Sequence, residues 1–100
     1  MNQITVTELA AAPGATVIDV REPFEFVSGH VPQAVNIPLG SLIERIGELP
    51  ADETLYIICE AGGRSAQAAQ YLGGLDYDAV NVVGGTGAWR AAQLPVSTEA

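Results

Sequence analysis

The sequence contains no lysine, and it has one cysteine and one histidine among its 100 residues. A single cysteine cannot form an intramolecular disulfide, and with one histidine it cannot complete a structural zinc site. Four arginines face twelve acidic residues, which gives a net charge of −8. Nucleic acid and anionic membranes bind clustered positive charge, so neither is an expected partner. No metal or organic cofactor is expected either.

Long hydrophobic runs are also missing. No segment approaches the 18 or more apolar residues of a membrane-spanning helix. The first residues, MNQITVTELAAAPGATV, lack the basic start and apolar stretch of a signal peptide. A reducing cytoplasm is therefore the expected location. Hydrophobic residues still make up 48% of the chain, and no linker or repeat divides it, so one globular domain over residues 1–100 is predicted.

Apolar runs alternate with helix-like segments along the chain. Strong buried strands are predicted at 16–20, 54–59 and 79–83, a short strand at 34–38, and an edge strand at 4–6. Helices are predicted after a cap at Thr7, over 21–30, from a cap at Ser41, over 65–74 with Gly73 and Gly74 as the stop, and over 84–93. This alternation predicts an open α/β domain with a mostly parallel sheet and helices on both faces.

Cys59 lies at the carboxyl end of a predicted strand, where ligands bind in sheets of this type. Gly62 and Gly63 allow the following backbone to turn its N–H groups towards one point, and the next helix adds its own free N–H groups. A thiolate there would have a lowered pKa without a histidine base. The alternative is a small buried cysteine that only packs, which is the common role of a lone cysteine ending an apolar strand.

Three stretches resemble the rhodanese family of sulfurtransferases. CEAGGRS, from Cys59 to Ser65, is similar to its active-site loop. VIDVREPFEFVSGHVPQAVNIPL (17–39) resembles its N-terminal signature, and VVGGTGAW (82–89) its C-terminal one. Together they span most of the chain in the family's order, so the resemblance implies a rhodanese-like α/β domain.

The resemblance also implies a mechanism. Cys59 would take the outer sulfur of thiosulfate or another persulfide donor and pass it from an enzyme persulfide to cyanide, a thiol or a partner protein. Arg64 would contact the donor anion or hold the loop. The backbone amides that would stabilise the sulfur belong to Glu60, Ala61, Gly62, Gly63, Arg64 and Ser65.

Four residues separate Cys59 from Arg64, whereas the phosphatases that share this fold have five, so the spacing favours sulfur over phosphate. Glu60 occupies a position that is often basic in active members. An unpaired carboxylate roughly 8 Å from the donor would cost about 0.5 to 2 kcal/mol, which puts thiosulfate in doubt as a preferred donor. Two other interpretations therefore stay open: a sulfur-relay module that works only with a partner protein, and a non-catalytic regulatory domain.

Asp19 and Arg21 are predicted to support the site, either as a pair or by bracing the cysteine loop. His30 is more consistent with a turn than with a catalytic base, and Trp89 more with the core than with a substrate wall.

Overall fold

A five-stranded parallel sheet organises the chain in this computed structural model, which describes residues 2–99. The strands are β1 (Asn2–Ile4), β2 (Thr16–Asp19), β3 (Val35–Asn36), β4 (Thr54–Ile58) and β5 (Asp78–Val82). Their order across the sheet is β1-β5-β4-β2-β3, and every pair is parallel. The helices are α1 (Val6–Ala10), α2 (Pro23–Val27), α3 (Gly63–Gly74) and α4 (Gly85–Ala91). The predicted fold class is confirmed.

Alternate residues of the strands belong to two separate hydrophobic clusters, one on each face of the sheet. In β4, Leu55 and Ile57 point to the face that α3 covers, whereas Ile58 points to the opposite face. Leu72 of α3 packs in the first cluster and Trp89 of α4 in the second. Both faces are therefore buried, which explains why the strands form continuous apolar runs.

The strand order places a topological switch between β2 and β4. From β2 the chain moves outward to β3, then returns across β2 to β4 and continues to β5 on the other side. Loops that leave two adjacent strands in opposite directions open a crevice at the carboxyl edge, where ligands of α/β sheets bind. The loop that starts at Cys59 and the residues that follow Asp19 flank this crevice.

The predicted cap at Thr7 is wrong by two residues. Thr5 caps α1: its hydroxyl accepts a hydrogen bond from the Glu8 backbone, and the Glu8 carboxylate accepts one from the Thr5 backbone. The edge strand likewise lies two residues earlier than predicted, at Asn2–Ile4 instead of 4–6, because its pairing with β5 ends at Ile4. The spacing of Thr5 and Glu8 is that of a capping box, so the sequence did carry the signal.

The helix predicted from Ser41 is not formed. The segment instead makes two 3-10 turns, Leu39–Ser41 and Ile46–Glu48. Leu42 and Leu49 are buried, but Ile43, which the helical spacing grouped with them, is 68% exposed. Glycines at 40 and 47 weaken a helix here, and the proline at 50 favours the extended backbone that Leu49 adopts.

The predicted end of α3 at residue 74 is confirmed, but Gly73 and Gly74 do not form a left-handed cap. Both glycines are helical, and Leu75 is the C-cap. Asp76 then takes a left-handed φ of 68°, and the Tyr77 backbone donates to the Leu72 carbonyl. A short polar side chain thus occupies the left-handed position that glycine was expected to fill.

Candidate active site

Cys59 stands one residue beyond the end of β4, and its side chain lies under a loop that leads into α3. Gly62 has a φ of 110°, in the region that glycine favours, and this turn aims its backbone N–H at the sulfur. That N–H donates to Cys59 Sγ across 3.1 Å, and the Ser65 hydroxyl lies 3.2 Å from the same atom. Cys59 is 1% exposed, so the sulfur is held by protein donors rather than by bulk water.

The surroundings of Cys59 set its protonation in opposite directions. Burial alone would raise the pKa of the thiol, because a thiolate is poorly stabilised away from water. Hydrogen bonds from the Ser65 hydroxyl and from the backbones of Ser65, Gly62 and Ala61 outweigh this effect and hold the pKa below its usual value. The loop therefore stabilises the thiolate form without a histidine partner, in agreement with the lowered pKa that the sequence predicted.

The start of α4 holds the outer side of the loop. The Thr86 backbone and hydroxyl donate to the Cys59 carbonyl at 2.8 and 3.1 Å, and the Gly87 backbone donates to the Glu60 carbonyl at 2.9 Å. These bonds anchor the two carbonyls of the loop on α4. Thr86 was missed as a site residue by the sequence reasoning, although it lies inside the GGTGAW motif.

Arg64 does not point freely into the crevice. Its guanidinium donates two hydrogen bonds to the Glu25 carboxylate, at 2.7 and 2.9 Å, which joins α3 to α2. The hydrogen bonds from Arg64 are the main reason that the pKa of Glu25 falls to about 2. Of the two roles considered for Arg64, this geometry matches loop holding rather than donor contact.

Asp19 and Arg21 pair with each other and also brace the cysteine loop. Arg21 contacts Asp19 at 2.9 Å and Glu60 at 3.2 Å, and it donates to the Gly29 carbonyl at 2.9 Å. The side chains of Arg21 and Asp19 are almost completely buried, so each needs the other to offset its desolvation.

Glu60 is paired with two arginines, which changes the interpretation of this residue from the sequence. Its carboxylate lies between Arg21 and Arg90, at 3.2 and 2.7 Å. The electrostatic cost expected at Glu60 assumed an unpaired carboxylate, whereas two guanidiniums offset its charge. The basic partners come from distant parts of the chain, so the sequence alone did not reveal them.

A sequence model described as a Rhodanese-like domain matches residues 4–92, which is most of the chain. The chain belongs to the rhodanese family.

Named relatives and a solved structure agree with this assignment. A sulfurtransferase of Allochromatium vinosum is 36% identical over 88% of this chain and 83% of its own length. The thiosulfate sulfurtransferase GlpE of Pseudomonas syringae is 38% identical over 77% of this chain and 74% of its own. A rhodanese-related protein from Thermoplasma volcanium superposes with a TM-score of 0.95 at 36% identity, covering 99% of this chain and all of that one. Both named relatives indicate sulfur transfer as the general chemistry of this rhodanese domain.

His30 and Trp89, the two aromatic candidates of this rhodanese domain, lie in the core. His30 is 3% exposed, its ring stacks on Phe26, and its Nδ1 lies 2.6 Å from the Phe26 carbonyl. Trp89 is 4% exposed and donates its indole N–H to the Pro95 carbonyl. Ala61 and Gly63 form the exposed outer part of the loop. Asn81, which no sequence argument singled out, is buried behind Ser65 and bonded to its hydroxyl.

Within residues 2–99, no group of three or more histidine, cysteine or acidic side chains is arranged to hold a metal ion. None of the helices in that range is long and apolar enough to cross a membrane.

Proposed function

We propose that this protein transfers sulfane sulfur from thiosulfate or a persulfide donor to cyanide or a thiol acceptor, through a persulfide on Cys59. The observation that carries the proposal is the position of Cys59 Sγ, which faces the Gly62 N–H and the Ser65 hydroxyl inside a turned loop. Such donors stabilise an anionic sulfur nucleophile, and they remain in place for the sulfur that becomes attached to it. We place this sulfur transfer in a reducing cytoplasm, because Cys59 has to remain reduced between turnovers.

Each half of the proposed cycle breaks one sulfur–sulfur bond and forms one new bond to the transferred sulfur. With thiosulfate, the Cys59 thiolate forms a bond to the outer sulfur, and the bond between the two thiosulfate sulfurs breaks with release of sulfite. The electron pair leaves with sulfite, so the enzyme holds an anionic persulfide. Cyanide then attacks the terminal sulfur, thiocyanate leaves, and the Cys59 thiolate is restored. A thiol acceptor would be converted to a persulfide in the same way.

The loop and its supports would have separate tasks in this cycle. The amides of residues 60–65 would stabilise the thiolate and the persulfide. The Arg64–Glu25 pair would hold the loop against α2. Arg21 would hold it against β2 through Asp19 and Glu60.

The experiment is to incubate the protein with thiosulfate, measure its intact mass, and then add cyanide. We expect a gain of one sulfur atom that cyanide removes, together with formation of thiocyanate. The Cys59→Ser variant is the matched control and should gain nothing. If no donor of either class adds sulfur to the wild-type protein, the proposed function is wrong.

A second candidate is a relay module that accepts sulfur only from a partner protein. It is favoured by the pairing of each arginine beside the loop within residues 2–99: Arg21 with Asp19 and Glu60, Arg64 with Glu25, and Arg90 with Glu60. A doubly charged small donor thus meets guanidiniums that carboxylates already occupy. An adduct that forms with a protein persulfide but not with thiosulfate would select the relay.

A further inference from the structure

The Ser65 hydroxyl lies between two acceptors that compete for one proton. Its oxygen is 3.2 Å from Cys59 Sγ and 2.6 Å from Asn81 Oδ1. Ser65 is completely buried, and Cys59 and Asn81 are 1% and 4% exposed. Bulk water therefore does not relieve the competition, and the protonation of Cys59 decides how the three groups are bonded.

With Cys59 as a thiol, both contacts are satisfied in the arrangement observed. The thiol S–H donates to Ser65 Oγ, and the Ser65 hydroxyl donates to Asn81 Oδ1. A thiolate has no proton and can only accept, so the Ser65 hydroxyl must then donate to Sγ. Ser65 Oγ in turn needs a donor on its other side, and the amide Nδ2 of Asn81 supplies one if the amide turns over.

We propose that Asn81 is a positioning residue for the sulfur chemistry, whose side-chain amide turns over when Cys59 loses its proton and thereby directs the Ser65 hydroxyl at the thiolate. The turn of the amide does not depend on the proposed function; only its purpose, which is to stabilise the thiolate that attacks the sulfur donor, rests on that function. When Sγ becomes the inner, neutral sulfur of a persulfide, it no longer needs that proton, and the Ser65 hydroxyl returns to Asn81. The Ser65 donor is then directed at Sγ mainly while Cys59 is a free thiolate.

Asn81 is placed for this task by the register of the sheet. It lies in β5, next to β4, and its Cα pairs with that of Ile57, two residues before the cysteine. Its side chain points to the face of the sheet that α3 covers, where Ser65 lies in the first turn of that helix. Within residues 2–99 the amide Nδ2 of Asn81 has no protein hydrogen-bond partner, so among protein groups the turn breaks one bond and forms one.

Other charges around the loop stay constant in the proposed switch, because they belong to ion pairs. Arg64, the cation that interacts with the Cys59 charge, is held by Glu25. The further charged groups flanking the loop on β2, on the loop itself and on α4 are Asp19, Arg21, Glu60 and Arg90. In the described part of the chain none of them hydrogen-bonds to Asn81 or Ser65, so a substitution at position 81 removes no bond of these pairs.

The test is a double-mutant cycle read by the pH dependence of Cys59 alkylation with iodoacetamide. Asn81→Asp supplies a carboxylate that, once ionised, can only accept, so it keeps the Ser65 proton and faces the thiolate with a like charge. We expect the apparent pKa of Cys59 to rise by about one unit, which slows alkylation about tenfold at pH values below it. In the Ser65→Ala background the same substitution should slow alkylation only about two- to threefold, since the charge remains but the hydroxyl relay is gone.

Two results with Asn81→Asp would overturn the proposal. One is an unchanged alkylation profile in Asn81→Asp. The other is an equal shift in both backgrounds, which would mean that the carboxylate acts by charge alone. Asn81→Leu is a control for packing, because it removes the amide without adding an acceptor. If Asn81→Leu slows alkylation as much as Asn81→Asp does, the proposed role of the Asn81 amide is also contradicted.

A measurement on the wild-type chain covers the case in which the variants fold poorly. The side-chain amide resonances of Asn81 should shift as pH crosses the Cys59 transition, and they should not shift in Cys59→Ser. If the Asn81 amide resonances do not change across this pH range in the wild-type protein, the proposed turn of the amide is wrong. Neither experiment requires sulfur transfer. A protein that gains no sulfur in the mass experiment can therefore be distinguished from one in which the Asn81 amide does not turn over.

Discussion

Gly85 shows how one missing side chain shapes the cysteine loop. It has a φ of 58°, and a Cβ at this position would lie 2.7 Å from the Glu60 carbonyl oxygen and closer still to that of Cys59. These are backbone atoms, so the clash cannot be relieved by turning a side chain. The glycine therefore allows α4 to approach the loop closely enough for Thr86 and Gly87 to donate to its carbonyls.

Replacing Gly85 with alanine should destabilise the protein by about 2 kcal/mol or more, from backbone strain and overpacking together. It should also slow Cys59 alkylation, because the loop has to move. Gly73→Ala in α3 is the matched control, since a Cβ there meets nothing within 4 Å and the change should stabilise by roughly 0.5 to 1 kcal/mol. Urea unfolding measures the stability of both variants. Equal midpoints for the two variants would contradict the steric account.

At the scale of elements, α1 is a short helix of five residues whose start is fixed by Thr5. It buries Val6 and Leu9 in the cluster that also contains Trp89 of α4. A helix this short gains little from its own hydrogen bonds, so its cap and its packing decide whether it forms.

Removing the Thr5 hydroxyl by Thr5→Ala should lower the free energy of unfolding by about 1 kcal/mol, the usual effect of losing an N-cap. Thr7→Ala makes the same chemical change at the position that the sequence suggested, and it should change stability by less than about 0.5 kcal/mol. Thermal or urea denaturation compares the pair. A larger loss at position 7 than at position 5 would mean that the observed capping box does not set the start of the helix.

At the scale of the whole molecule, charge is distributed unevenly. Three of the four arginines are paired beside the cysteine loop, so the local network is close to neutral, while the chain carries −8 in total. Long-range repulsion, rather than a local carboxylate, is then the main electrostatic obstacle to an anionic donor.

Added salt should therefore raise kcat/KM for thiosulfate, by roughly threefold between ~0.02 and ~0.2 M ionic strength, because screening weakens repulsion between like charges. Alkylation of Cys59 by neutral iodoacetamide is the control and should change little over the same range. Thiosulfate kinetics that fall with salt would indicate net attraction at the site and contradict this view.

The sequence alone was enough to predict the class of fold and the loop that carries the cysteine. Continuous apolar runs required a sheet buried on both faces, and the glycines after Cys59 required a turned backbone at a helix start. Such signals are local in the chain, since periodicity and turn chemistry act over a few residues. The same local reasoning failed over 39–49, where helical spacing was present but glycines and a following proline favoured 3-10 turns.

Tertiary structure decided what the side chains around Cys59 do. Glu60 looked like an obstacle to an anionic donor until the fold brought Arg21 and Arg90 to it. Asn81 looked like an ordinary strand residue until the sheet register placed it behind Ser65. In each case the partners are separated by 16 or more positions in the chain. Local sequence determined the position of Cys59 and the turn of its loop, whereas the charge and hydrogen bonding around them depend on contacts that only the folded sheet creates.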